Sequence, residues 1–277
     1  MSRQKSTKGQ DNRNHDKRKA TNKRIPKYMQ DEVDEYISTK NNNASKDAVD
    51  FIKIKSLEFE LTKKQKELIK LMQNNKIITV TGPPGTSKTF VACYAAIQSF
   101  LSNGCSKIVL SKPTEILSGT KDPGALPGSL DEKMSVYAES FFDAFDEILL
   151  PKDFKHLWSE KIIEFKPAQF LRGRTLKNSF IIVDEFQNFD IKALKSIVTR
   201  LGRNSTIVFM GDTKQNDINK KYVSVDTFNE IIKPIKGCAI FKFERSDIVR
   251  EQILIDIVDR FEKFEDEGKF PETIKGN

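Results

Sequence analysis

Nine residues, TGPPGTSKT from Thr81 to Thr89, constrain the fold more than any other feature of the chain. They follow the apolar, β-rich run from Lys76 to Val80 and lead into a helix-like segment from Phe90 to Phe100. Strand, glycine turn and helix is the order that a phosphate-binding loop needs. Gly82 and Gly85 let the backbone take positive φ or pass close to another group, so that successive N–H groups turn toward one anion. Lys88 is then placed to reach the β and γ phosphates of a nucleotide. Thr89 opens the helix, where its hydroxyl can ligand Mg²⁺ beside the positive helix end. Pro83, Pro84, Thr86 and Ser87 complete the expected cradle. Ser87 stands where the G-x-x-x-x-G-K-[ST] pattern has a glycine.

A second run, SFIIVDEFQN from Ser179 to Asn188, is an apolar stretch that ends in two adjacent acids. It reads as a buried parallel strand, with Asp184 and Glu185 at its carboxyl end, where open α/β sheets keep their ligand crevice. Asp184 suits a Mg²⁺ partner acting through water, since that ion takes one or two carboxylates together with phosphate oxygens. Glu185 suits the group that orients or deprotonates an attacking water. A third run, NSTIVFMGDTKQND, repeats the layout: an apolar strand from Thr206 to Met210, then Gly211, Asp212 and Gln215. Gln215 is the candidate sensor of the γ-phosphate.

Together these pieces carry a family resemblance. From about Leu61 to Arg260 the chain resembles the PhoH-like ATPases, through LTKKQ, TGPPGTSKT, LSKPTE, LPGSLDEK, FLRGRTL, IIVDEFQN, MGDTKQND and SDIVR. The resemblance implies a P-loop NTPase core of the RecA and helicase type, with ATP and Mg²⁺ as its cofactors. It also implies Gln65 as the adenine reader and Arg250 as an arginine finger acting on the γ-phosphate. Departures from the family pattern are Ser87, Lys112 where an arginine is common, and Phe186 where a small residue is usual. The implied activity is ATP hydrolysis acting on RNA or single-stranded DNA. Superfamily 1 motors close two tandem core domains around ATP, and this chain has room for one. A homo-oligomer, such as a hexameric ring, is therefore implied, with Arg250 reaching across a subunit boundary. Two other readings stay open: a nucleotide-switched nucleic-acid-binding protein with little turnover, and a P-loop kinase.

Charge is segregated along the chain. The formal net charge is +8. Residues 1–27 hold ten basic side chains against Asp11 and Asp16, which is also +8, so the remainder is neutral at 37 against 37. With few large apolar residues, 1–46 reads as a flexible basic tail suited to nonspecific contact with nucleic-acid phosphates, and 47–277 as the ATPase domain. No stretch approaches the ~20 apolar residues of a membrane span. The expected setting is the cytoplasm of a bacterial or phage-infected cell. Cys93, Cys105 and Cys238 lack metal-ligand spacing and read as buried small hydrophobes.

The remaining pattern predicts a parallel sheet with helices on both faces. Its strands are expected at Ile77 to Val80, Lys107 to Leu110, Phe180 to Val183, Thr206 to Met210 and Ala239 to Phe243. Residues 118–129 read as a loop and 131–150 as an inserted helix. Trp158 is expected to pack in a core. The C-terminal amphipathic segment is expected to turn Ile248, Ile253, Ile257, Val258 and Phe261 inward.

Overall fold

The computed structural model of the chain describes residues 52–55, 60–113, 130–173, 175–212 and 224–267. The basic tail, the loop expected at 118–129 and Gln215 lie outside the described residues. All of the described residues but Ile52 belong to the compact unit Lys53–Asn277. Its elements are α1 (Lys63–Asn74), β1 (Ile77–Thr81), α2 (Lys88–Leu101), β2 (Lys107–Ser111), α3 (Leu130–Ile148), α4 (Pro151–Ser159) and β3 (Ile163–Phe165). Then come β4 (Ser179–Val183), α5 (Ile191–Val198), β5 (Thr206–Gly211), α6 (Ser224–Ile232), β6 (Cys238–Lys242) and α7 (Gln252–Asp266).

The six strands form one sheet in the order β3-β2-β4-β5-β1-β6, and every pairing is parallel. Parallel strands need crossovers, and the crossover helices cover both faces. That is why the central strands are continuous apolar runs: all five residues of β4 are buried, and five of the six in β5. Alternate side chains serve the two layers. Val109, Ile181, Val183, Ile207 and Phe209 face a core shared with Leu194 and Ile197 of α5 and Phe228 of α6. The opposite face is covered by α2, whose Val91, Ala92, Cys93, Ala95, Ala96 and Ile97 are buried. This is the P-loop NTPase architecture that the pattern predicts.

Register decides what emerges at the sheet's carboxyl edge. Thr81 pairs with Gly211 on one side and Lys242 on the other, and Ser111 pairs with Val183. The next residues, Gly82, Lys112, Asp184, Asp212 and Phe243, therefore leave the sheet on one rim.

Three expectations need correction. The strand β3 has no counterpart among the expected strands; it is three residues long, too short for a periodic signal, and extends the sheet beyond β2. β6 runs from Cys238 to Lys242, one residue earlier than Ala239 to Phe243. In α7 the apolar residues do not all turn inward: Ile253, Ile257 and Phe261 are exposed, at 62%, 46% and 60%. Val258 and Ile248 are partly buried, together with Ile255. The helix is amphipathic, but its broad apolar side projects from the unit. Trp158 is half-buried, with its ring edge-on to Phe142 at 5.0 Å.

One buried hydroxyl ties the acid-bearing strand to its neighbour. Ser205, just before β5, accepts from the Ser179 N–H at 3.0 Å and donates to the Leu176 carbonyl at 2.9 Å. Ser205→Ala leaves a buried N–H without its acceptor and should cost about 1–3 kcal/mol in urea unfolding. A loss below about 0.5 kcal/mol would show that this tie does not anchor β4.

Candidate functional site

The loop from Gly82 to Ser87 is shaped by what cannot be placed in it. Gly82 has φ +152°, and a Cβ there would lie 2.6 Å from Cβ of Phe243, so only glycine lets β6 close against the loop. Gly85 has φ +85°, and a Cβ there would meet Cδ of Arg250 at 2.9 Å. The Thr86 hydroxyl is turned inward, donating to the Pro83 carbonyl at 3.0 Å, so this fully buried side chain braces the turn. Lys88 Nζ donates to the carbonyls of Gly82 at 2.7 Å and Pro83 at 2.9 Å. Thr89 is half-buried in the first turn of α2.

Ser87 explains why a glycine is usual at its position. It is the N-cap of α2 with φ 60° and ψ 31°, in the left-handed region, and its side chain makes no capping bond. An L-residue in that region costs about 1–2 kcal/mol. The serine therefore keeps the loop's geometry at the expense of local strain. It also leaves the first N–H groups of α2 without a side-chain acceptor, in the arrangement that favours an anion.

Charged groups of three strands converge on Lys88. Burial lowers the pKa of its ammonium; Asp212 and Asp184 oppose that shift, and Arg250 adds to it. Lys88 therefore lies within electrostatic reach of three side chains that come from three other segments. Asp212 is buried at the end of β5, and its N–H donates to Gln187 Oε1 at 3.2 Å. Because β5 lies between β1 and β4, Asp212 stands between the loop and the acid pair.

The acid pair has a cation of its own. Lys112, the first residue after β2, brings Nζ to 3.4 Å from Asp184 Oδ2 and 3.5 Å from Glu185 Oε1. Its ammonium also lies 5.4 Å from the centroid of the Phe141 ring. Asp184 is held above the usual carboxylate range by burial; Lys112 opposes this and Glu185 adds to it. Glu185 is about half exposed and sits in left-handed backbone, φ 54°, so its side chain turns away from the buried strand. In the sequence Lys112 stands out only as a departure from an arginine. Its place between the acids depends on the β2–β4 register, which no local pattern reveals.

The other candidates are placed as follows. Gln65 is not a surface residue: it is 2% exposed, and its Oε1 accepts from the Thr62 N–H at 2.9 Å in a capping box that starts α1. Lys64 beside it bonds Asp247 at 2.7 Å, which fastens the start of α1 to the segment after β6. Arg250 is brought to its own loop: the Val249 N–H donates to the Gly85 carbonyl at 3.0 Å, and the Arg250 stem lies against Gly85. Within its own chain, Arg250 therefore lies beside the loop. Arg200 and Arg203 are at the other end of the sheet, where their carbonyls accept from Leu176 and Asn178 ahead of β4. The side chains of Arg172 and Arg174 lie outside the described residues.

Comparison with known families decides the assignment. A family model described as PhoH-like protein matches residues 59–262. The chain belongs to the PhoH-like family. A PhoH-like protein of Synechocystis sp. is 35% identical over 205 residues, covering 74% of this chain and 62% of that protein. One of Bacillus subtilis is 32% identical over 200 residues, covering 72% and 62%. Protein PhoH of Escherichia coli is 28% identical over 192 residues, covering 68% and 54%. The chain thus spans less than two thirds of the length of these relatives. The family match takes in the loop, both acids, Asp212 and Arg250. Among the described residues no helix is long and apolar enough to cross a membrane.

Two outcomes test this geometry. Ser87→Gly relieves the left-handed strain and should raise stability by about 0.5–1 kcal/mol, read from the urea midpoint; a loss would contradict the strained turn. For Asp184 the sign follows from its raised folded pKa. Such a group favours folding below its unfolded pKa, and that advantage is lost as pH rises through the folded pKa. Asp184→Asn should therefore raise the melting temperature of the nucleotide-free protein at about pH 7, with the gain fading toward about pH 3. A lower melting temperature at neutral pH would show that the Lys112 pair outweighs burial.

Proposed function

We propose that the chain is a Mg²⁺-dependent ATPase that acts on RNA or single-stranded DNA as a homo-oligomer, for which a hexameric ring is the expected form. The observation that carries the ATPase reading is the convergence of Lys88, Asp184, Asp212 and Arg250 at one rim, beside a glycine loop that opens a helix. Glu185 stands exposed at the same rim, able to meet water. Ser87 preserves the loop conformation, which favours turnover over a silent switch.

The donor set suits a hard cation: the Thr89 hydroxyl and the Asp184 carboxylate are oxygen ligands, and neither site calls for nitrogen or sulfur. Mg²⁺, when bound, neutralises charge on the β and γ phosphates. In the proposed reaction the N–H groups of Gly85 to Thr89 hold the phosphates, and Lys88 leaves its loop carbonyls to pair with them. Glu185 accepts a proton from water as the water oxygen bonds to the γ-phosphorus. The bond from that phosphorus to the β–γ bridging oxygen breaks, and the electron pair leaves on ADP. Arg250 meets the charge that redistributes onto the phosphoryl oxygens. Gln65 reads the adenine edge in this scheme once its amide, covered here and with Oε1 held by the Thr62 N–H, is uncovered. Gln215 keeps its expected sensing role in this scheme. Lys112 attracts both carboxylates, offsets their mutual repulsion and fixes the bearing of Glu185.

The test is release of inorganic phosphate with and without single-stranded oligonucleotides. ATP and Mg²⁺ alone should yield ADP and phosphate, and addition of RNA or DNA should raise the rate; absence of turnover without an added acceptor would favour a kinase. Lys88→Ala should abolish turnover in a folded protein. Glu185→Gln should keep nucleotide binding and lower kcat by about 10²–10⁴-fold. Lys112→Met should lower kcat by up to about 10²-fold through misplacement of Glu185, with Lys112→Arg restoring most of it. Full activity in Lys112→Met would remove the positioning role.

A further inference from the structure

We propose that Phe170 is a base-stacking platform for single-stranded nucleic acid, an assignment that rests on the nucleic-acid reading above and gives it a contact residue. Phe170 is 64% exposed, while its neighbours Ala168 and Leu171 in the same 3₁₀ turn are 3% and 1% exposed. Both neighbours belong to the core shared with α5 and α6. The turn is further closed by the Phe170 N–H donating to the Pro167 carbonyl at 2.8 Å. A ring held out from a turn anchored on both sides could be buried only by giving up those contacts. That is the geometry of a preformed stacking surface, since every base has a π face that such a ring can meet.

Position and charge say what the ring meets. The turn follows β3 at the carboxyl rim, and the Ala168 N–H donates to the Lys112 carbonyl at 3.2 Å. Lys112 is the residue whose ammonium lies between Asp184 and Glu185, so one residue fastens both the stacking turn and the acid pair. The run KPAQFLRGR, residues 166–174, carries Lys166, Arg172 and Arg174 and no acid, in a chain that is formally neutral after residue 27. Lys166 pairs with Glu164 at 2.7 Å, and the run still holds an excess of two positive charges over that acid. A polyanion with exposed bases matches an aromatic interleaved with cations. Strand occupancy at Phe170 would thus be felt at Lys112, and through it at the acids.

The measurement is the affinity of the full chain for oligo(U) and for oligo(dT), by fluorescence anisotropy across a salt series. Phe170→Ala should weaken binding about fivefold to a hundredfold while leaving the log K against log salt slope unchanged, because a stacked ring releases no counterions. Phe170→Leu should be as weak as Phe170→Ala, and Phe170→Trp should bind like the parent with its fluorescence quenched by the oligonucleotide. Oligo(U) and oligo(dT) separate an RNA from a DNA ligand. Binding by the parent that Phe170→Ala leaves intact would overturn the platform while sparing the nucleic-acid reading. The platform would equally be overturned if Phe170→Leu bound like the parent, or if the salt slope fell with the affinity. Failure of the parent to bind either oligonucleotide would overturn both.

Discussion

The parallel ladder is the constraint on which the rest depends. Pairing Thr81 with Gly211 and Ser111 with Val183 puts the residues that follow four strands on one rim, whatever their distance in sequence. A slip of one residue in β4 would turn the set Ile181 and Val183 to the other layer, so the apolar faces enforce the register that aligns the polar ends. The site needs no separate scaffold. Lys112, Asp184 and Asp212 directly continue buried strands, while Lys88 opens α2 and Arg250 returns to the loop from the segment after β6.

Several costly features lie at that rim. Ser87 and Glu185 occupy left-handed backbone, as Asn103, Lys161, Asn178 and Asn204 do elsewhere, and Asp184 and Lys88 are ionisable groups drawn largely out of water. Each is tolerable because rigid neighbours determine it: the loop is braced by Thr86, and the acids share Lys112. Concentrated strain and buried charge are what a preorganised phosphate site requires, and they weaken the fold where function needs them.

The fold, and the placing of most candidate site residues on one rim, were legible because they rest on contiguous signals. A buried parallel strand is an apolar run, and a phosphate loop is a local pattern of glycines, lysine and threonine. What stayed hidden depends on contacts between distant segments. Lys112 is an unremarkable lysine until β2 pairs with β4. Gln65 is buried at a helix start that Lys64 ties to Asp247, a contact between distant segments. Arg250 meets its own loop through the Val249 bond to Gly85, a closure that spacing does not encode. In α7 the helical period marks an apolar face correctly, yet periodicity does not say that Ile253, Ile257 and Phe261 remain outside. Phe170 is one of 20 phenylalanines until its exposure beside buried Ala168 and Leu171 in one turn marks it.

The central claim is that the Gly82 to Thr89 turn is the triphosphate site served by the acids of β4 and β5. A crystal structure with Mg²⁺ and a non-hydrolysable ATP analogue tests it most directly. The account predicts the triphosphate inside the turn, with Lys88 Nζ moved from the Gly82 and Pro83 carbonyls to phosphate oxygens and the metal between Thr89 and Asp184. Nucleotide bound elsewhere, with Lys88 still on those carbonyls, would contradict it.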